Sequence, residues 1–336
     1  MTTTLEYRNK ITYLSFIMAL LIIVRHSVGL DIYQEHITGG LYYIEFFTSH
    51  FTDVIVPVFF AISGYLFFQN FDYTKLKGKW YTRSRSLLVP FIIWNLIGFM
   101  FTWTLYQIPQ IRNSINKPLP DYDVVTWFID VFIKTQYNIT WFIRNLIVYV
   151  IVTPLFYIVL KSKWSGAFLL TAAIVTSYII SNDYITYSSP WLLGAYVGIH
   201  FKDYCKKCYD KRLLTVCACL LLCSFIIECM SGCSCTEDII LLRLIQIPLI
   251  WISADILAIN KEPSWWMRIS FFIYCSHHMI LESVEKIFLI LLGKNYTGAL
   301  LDFIFAPMIT LLIILCLAAI LRRIHPVWAV LCGGRT

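Results

Sequence analysis

The chain has 336 residues, of which 59% are hydrophobic, 17% aromatic and only 14% charged, with a formal net charge of +7. Soluble domains run at about 45–50% apolar and about 25% charged residues, and a mean hydropathy of +0.70 leaves too little polar surface to cover a water-soluble globule. A cytosolic enzyme, a secreted disulfide scaffold and a disordered chain are all excluded, and the composition is that of an all-α polytopic membrane protein.

A bilayer core of about 30 Å takes roughly 20 apolar helical residues. Read in chain order, the apolar segments predict ten transmembrane helices, near 11–30, 52–69, 86–106, 139–160, 166–182, 188–201, 213–230, 238–259, 269–292 and 299–321. The sixth is short. A weaker stretch at 124–133 carries Asp130 and reads as re-entrant or interfacial.

The basic residues sort by loop. Nineteen of the 27 fall on the side of the N-terminus, including Lys75, Lys77, Lys79, Arg83, Arg85, Lys206, Lys207, Lys211 and Arg212. Only Arg112, Lys117, Lys134 and Lys294 fall on the other side. Such an imbalance predicts that both termini are cytoplasmic and that the spans lie in the inner (plasma) membrane. With the charge explained by topology, no cluster remains that reads as a nucleic-acid surface.

The first span keeps Arg25-His26 near its end with no small-x-small cleavage site behind it, so it reads as a retained helix. No fixed-period repeat or flexible linker interrupts the chain. One membrane-embedded domain over residues 1–336, with no appended soluble domain, is the expectation.

Cysteine usage points to no chemistry. Cys217, Cys219, Cys223, Cys275 and Cys316 lie inside spans, where thiols act as small apolar groups. Cys205-x-x-Cys208 lacks the second pair a zinc site needs, so no metal is expected. Cys229, Cys233 and Cys235 share the outer face, where a disulfide is open to them.

Charged groups at bilayer depth cost about 2.5–3.5 kcal/mol each on insertion scales, so each is a candidate for function. Three sets stand out. Arg25-His26-Ser27 closes the first helix; His26 is either a general base for a hydroxyl or an interfacial imidazole bonded to a carbonyl or headgroup. The string His26-x4-Asp31 matches the spacing of a soluble-faced glycerolipid acyltransferase class, but its surroundings do not. Arg144, in TWFIRNLIVY, either meets an anionic ligand, pairs with Asp53, Glu45 or Asp130, or snorkels to the headgroups. In the ninth helix, FFIYCSHHMILESVEK, His278 and Glu282 are four apart and share a face, as do Glu282 and Lys286. That face either lines a cavity or marks a helix emerging early into water.

Lys75, Lys77, Lys79, Arg83 and Arg85 precede the third helix on the cytoplasmic side. They either mark topology and anionic lipid or hold a phosphorylated ligand at a cavity mouth. No phosphate-binding loop, dinucleotide fingerprint, nucleophile elbow or zincin motif occurs.

Six segments in order resemble the integral-membrane acyltransferase-3 family, whose members O-acylate cell-surface sugars: FIMALLIIVRHS, VPVFFAISGYLFF, RSRSLLVPFIIWN, WFIRNLIVYVIVTPLFY, ISFFIYCSHHMI and the terminal LCGGR. By this resemblance, His26 falls on the family's proposed catalytic histidine and Arg83 and Arg85 on its basic segment. Arg144 falls on the arginine after Trp-Phe, and His277 on the late-helix histidine. Two positions depart from the pattern: Ser15 stands where many members carry a basic residue, and the basic pair is spaced Arg-x-Arg. These departures imply an altered donor site, compensation there by Lys79 or Arg25, or a diverged member of weak activity.

The resemblance implies transfer of a short acyl group, acetyl first, from acyl-CoA to a hydroxyl of a glycan or glycolipid. Acyl-CoA enters as co-substrate, and no cofactor stays bound. Lys79, Arg83, Arg85 and Arg25 would hold the CoA phosphates, His26 would take the hydroxyl proton, and Arg144 would stabilise the oxyanion or place the acceptor. His277, His278, Glu282, Asp53 and Trp141 would line the cavity or position the acceptor. Membrane lipid is an expected partner, and a homo-oligomer is left open. The competing expectation from another class is a multi-helix transporter or flippase for a glycan, lipid or acyl unit.

Overall fold

The structure is a computed structural model and describes residues 4–27, 33–107, 123–133, 135, 137–207, 209–232, 239–257 and 262–334. Among these residues every regular element is helical. Among the described residues six helices are long and apolar enough to cross a membrane: Tyr7–His26, Gly39–Phe68, Tyr73–Tyr106, Asn138–Leu160, Lys211–Ser231 and Tyr296–Leu321. The other expected spans are helices too, but those at Lys163–Ile179, Ser188–His200 and Ile240–Ser253 are shorter. Ser270–Leu292 is long enough but carries Glu282, Glu285 and Lys286. Asp31, Cys208, Cys233 and Cys235 fall outside the described residues, as does the side chain of Asp130.

The chain divides into two compact units. The first comprises Met1–Leu76 and Val152–Leu315, the second Lys77–Ile151 and Cys316–Thr336.

In the first unit, α1 (Thr4–His26) packs against α13 (Ser270–Leu292). The segment before the second expected span is itself helical: α2 (Gly39–Thr52) runs into α3 (Ile55–Phe68) through a break at 53–54. The most extensive helix contact joins α3 to α10 (Ser188–His200). It is built on small residues: a Cβ at Gly64 would strike the Trp191 carbonyl, and one at Gly194 the backbone of Ala61. Small residues let helix backbones approach closely, where dispersion replaces a hydrophobic driving force that lipid does not supply. The antiparallel pair α11 (Lys211–Ser231) and α12 (Ile240–Ser253) also packs within this unit. Asp210 caps α11 by accepting from the Leu213 amide at 2.8 Å, and Gly232 ends it at φ +68°.

In the second unit, α4 (Leu76–Arg83) continues through a π turn, Ser84–Leu88, into α5 (Val89–Tyr106). The wider turn re-aims successive side chains, which is why such bulges recur at functional sites. A short C-terminal helix, α15 (His325–Leu331), packs on α5, where buried Trp94 donates to the Leu331 carbonyl at 3.0 Å. Gly333, at φ +61°, follows; a Cβ there would lie 2.7 Å from the Ser86 carbonyl inside the π turn. Gly333 is thus packed against the turn that carries Arg85.

The weak apolar stretch forms α6 (Val124–Phe132), N-capped by Asp123. Buried Asn95 accepts from the Tyr137 amide and the Thr140 hydroxyl, each at 3.0 Å, which fixes the entry of α7 (Trp141–Leu160).

Candidate active site

The first unit gathers charge at the C-terminal end of α1. Ser27 closes that helix by donating to the Val24 carbonyl at 2.8 Å, leaving Arg25 and His26 on its last turn. Arg25 Nε donates to Asp53 Oδ1 at 2.6 Å. Asp53 sits at the break between α2 and α3. Its other oxygen lies 3.9 Å from Arg243 Nη2.

Arg243, on α12, is fully buried. It donates to both oxygens of Glu228 on α11, at 2.6 and 2.7 Å, and to the Gln246 side-chain oxygen at 3.0 Å. Gln246 in turn donates to Glu228 at 3.2 Å and to Ser224 at 3.3 Å. A buried ion pair survives in low dielectric only where extra hydrogen bonds satisfy the remaining lone pairs, as they do here. Asp53 connects this network to α1.

Three imidazoles meet where α1 packs on α13. The His26 ring centroid lies 5.1 Å from that of His277 and 5.3 Å from that of His278. His277 is fully buried and donates through Nδ1 to the Tyr274 carbonyl at 2.7 Å. His278 Nδ1 lies 3.5 Å from Glu282 Oε1, as their four-residue spacing predicts. Among the described residues no carboxylate pairs with His26. Asp53 is engaged by Arg25, and Glu282 by His278.

In the second unit, the Asn95 hydrogen bonds anchor the start of α7, whose first turns carry Trp141 and Arg144, both half-buried. The next residue, Asn145, is fully buried, and neither its amide oxygen nor its nitrogen has a hydrogen-bond partner among the described residues. Lys79 and Arg83 lie four apart on one face of α4 and are half-buried, whereas Arg85, in the π turn, is exposed over the Tyr81 ring. Lys79, Arg83 and Arg85 therefore share one unit with Arg144 and Trp141, while Arg25 has its charge matched by Asp53 in the other.

Sequence reasoning missed Glu228, Gln246, Ser224 and Asn145. The available signal was polarity inside apolar spans. Glu228 and Arg243 are the same kind of intramembrane charge as Arg144, and the pairing becomes visible only when α11 and α12 are laid side by side.

The acyltransferase domain profile matches residues 8–322, nearly the whole chain. The protein belongs to the acyltransferase-3 family. This acyltransferase is 26% identical over 310 residues to the succinoglycan biosynthesis protein ExoH of Rhizobium meliloti (strain 1021), an alignment covering 84% of its own chain and 79% of that protein. No solved structure matches it. Family and apolar helices together make it a multi-pass membrane acyltransferase.

Proposed function

We propose that this acyltransferase moves a short acyl group, acetyl first, from acyl-CoA to a hydroxyl of a cell-surface glycan or glycolipid. The observation that carries the reading is His26, held at the end of α1 within about 5 Å of two further imidazoles, in a chain of this family. The name of the relative, a succinoglycan biosynthesis protein, supports a polysaccharide acceptor.

In this reading His26 takes the proton of the acceptor hydroxyl as its oxygen attacks the thioester carbonyl. The tetrahedral intermediate then collapses: the C–S bond breaks, the proton passes to the leaving thiolate, and an ester and free CoA result. Arg144 supplies positive charge for the oxyanion or the acceptor. Lys79, Arg83 and Arg85 receive the donor phosphates, for which two adjacent faces of one basic helix-and-turn are suited. Arg25 holds its helix end in place through Asp53 and leaves the donor to the other three. Basic loops support a plasma-membrane location with both termini cytoplasmic, so that the donor enters from the cytoplasm.

The test is mass spectrometry of surface glycans from cells with the wild type, a deletion, and His26→Ala at matched expression. An acyl mass present only with the wild type supports the reading. Persistence of that mass in His26→Ala removes His26 as the base. Unchanged glycan masses with altered export would overturn the enzyme reading in favour of transport.

A further inference from the structure

A general base that becomes imidazolium needs a hydrogen-bond acceptor for its second N–H, the part a carboxylate plays in serine hydrolases. Among the described residues no carboxylate pairs with His26. The acceptor available instead is a nitrogen. His277 Nδ1 faces two backbone carbonyls, Tyr274 at 2.7 Å and Ile273 at 3.3 Å, and a carbonyl oxygen only accepts. The proton of neutral His277 therefore resides on Nδ1, and Nε2 holds an in-plane lone pair.

That lone pair is the unusual feature. Nε2 is buried, on a side chain with no exposed surface, and has no hydrogen-bond partner among the described residues. Leaving such an acceptor unmade in a low-dielectric interior carries a desolvation penalty that no bond offsets. The nearest ring on α1 is His26, with centroids 5.1 Å apart and planes inclined at 43°. Two imidazoles joined by one N–H···N bond have centroids at about this separation, since the bond itself spans about 3 Å. Such a bond would require the His26 ring to turn toward Nε2.

We propose that His277 is the hydrogen-bond acceptor of the base: its Nε2 receives the second N–H of His26 and stabilises the imidazolium formed during transfer. This rests on the proposed acyl transfer and deepens it. Atoms balance as before. The acceptor hydroxyl proton moves to one nitrogen of His26 and then to the leaving thiolate, while the proton shared with His277 stays on His26 throughout. A neutral acceptor suits this site, because a buried carboxylate would need a counter-charge in the ground state. The other charged or titratable groups facing His26 are Arg25 and His278, and the group facing His277 is also His278.

The experiment uses the full chain in lipid nanodiscs with radiolabelled acetyl-CoA as donor and the glycan fraction of a deletion strain as acceptor. His277→Phe keeps ring volume and removes the acceptor; kcat should fall about 100-fold with KM for acetyl-CoA unchanged. His277→Gln restores an acceptor oxygen near the Nε2 position and should recover at least a tenth of the lost rate. Recovery by Phe rather than Gln would make the role packing and overturn the inference. Equal loss in both variants, with His26→Ala still active, would make His277 the base itself and also overturn it. Nitrogen-15 spectra of histidine-labelled protein give a readout independent of activity: wild-type His277 should carry its proton on Nδ1, and an Nε2–H tautomer overturns the proposal. Failure of the wild type to label glycan, with the tautomer as expected, would instead count against acyl transfer from acetyl-CoA.

Discussion

Arg25 donates to Asp53 at 2.6 Å, and the far oxygen of Asp53 lies 3.9 Å from the buried guanidinium of Arg243. One carboxylate thereby links the turn that carries His26 to an ion pair lodged between α11 and α12. The last turn of α1 is thereby tied to charges carried by other helices.

The first prediction concerns that ion pair. Arg243 and Glu228 both have fully buried side chains, so removing Arg243 strands Glu228, and removing Glu228 leaves Arg243 only the more distant Asp53 carboxylate, at 3.9 Å, which Arg25 already engages. Glu228→Leu alone should destabilise the protein by about 3–5 kcal/mol, whereas Glu228→Leu with Arg243→Met should recover much of the loss. Thermal unfolding in detergent, followed for both single variants and the double, measures the coupling. Additive losses would show that the pair does not act as a unit.

The second prediction concerns the α3–α10 interface. Gly64 and Gly194 have no room for a Cβ, because the obstacle in each case is backbone. Gly194→Ala should lower the unfolding temperature, with overpacking costing about 1–3 kcal/mol. Gly78→Ala, on α4, meets nothing within 4 Å and serves as the unaffected control. Equal behaviour of the two would mean that the helices separate easily.

Much of this architecture is legible in the sequence, since apolar length and the run VPVFFAISGYLFF mark α3 and its neighbours. The helix α2 is not. GGLYYIEFFTSHFT opens on two glycines, interleaves Glu45, Ser49 and His50 with aromatics, and falls between the expected spans at 11–30 and 52–69. Folding buries Glu45 and His50 and leaves Tyr43 and Phe47 on the surface, which inverts the usual sorting and is favourable only in a membrane setting. The histidine grouping was half legible. His278 and Glu282 follow from four-residue spacing, but the approach of His26 to His277 depends on the packing of α1 on α13, which no local pattern encodes.

A third prediction follows from Asn145. Its side-chain amide is buried with both ends unmade among the described residues, and an unsatisfied buried amide costs about 1–3 kcal/mol. Asn145→Leu, close in volume, should therefore raise the unfolding temperature rather than lower it. A fall would mean that the amide is satisfied in the membrane by water or lipid, which a hydrogen-exchange measurement on the same variant would reveal.

The fourth prediction is a pH dependence outside the spans. Cys205 lies in the Lys202–Lys207 loop, where burial pushes its thiol from 9.0 up to about 11, against the pull of the Lys10 charge. The reactive species is the thiolate, which forms only as pH rises through that value. At pH 8 its thiolate fraction should be about 100-fold below that of a thiol titrating at 9.0. In a variant keeping Cys205 as its single cysteine, maleimide labelling should be correspondingly slow at pH 8 and accelerate about tenfold per pH unit up to 10. Lys10 is ion-paired with Asp255 at 2.6 Å and stacked over Trp251 at 4.5 Å, so its pull on the thiol is fixed in place. Lys10→Met removes that pull and should slow labelling further, whereas faster labelling in Lys10→Met would mean that the lysine closes the loop over Cys205 rather than favouring its thiolate.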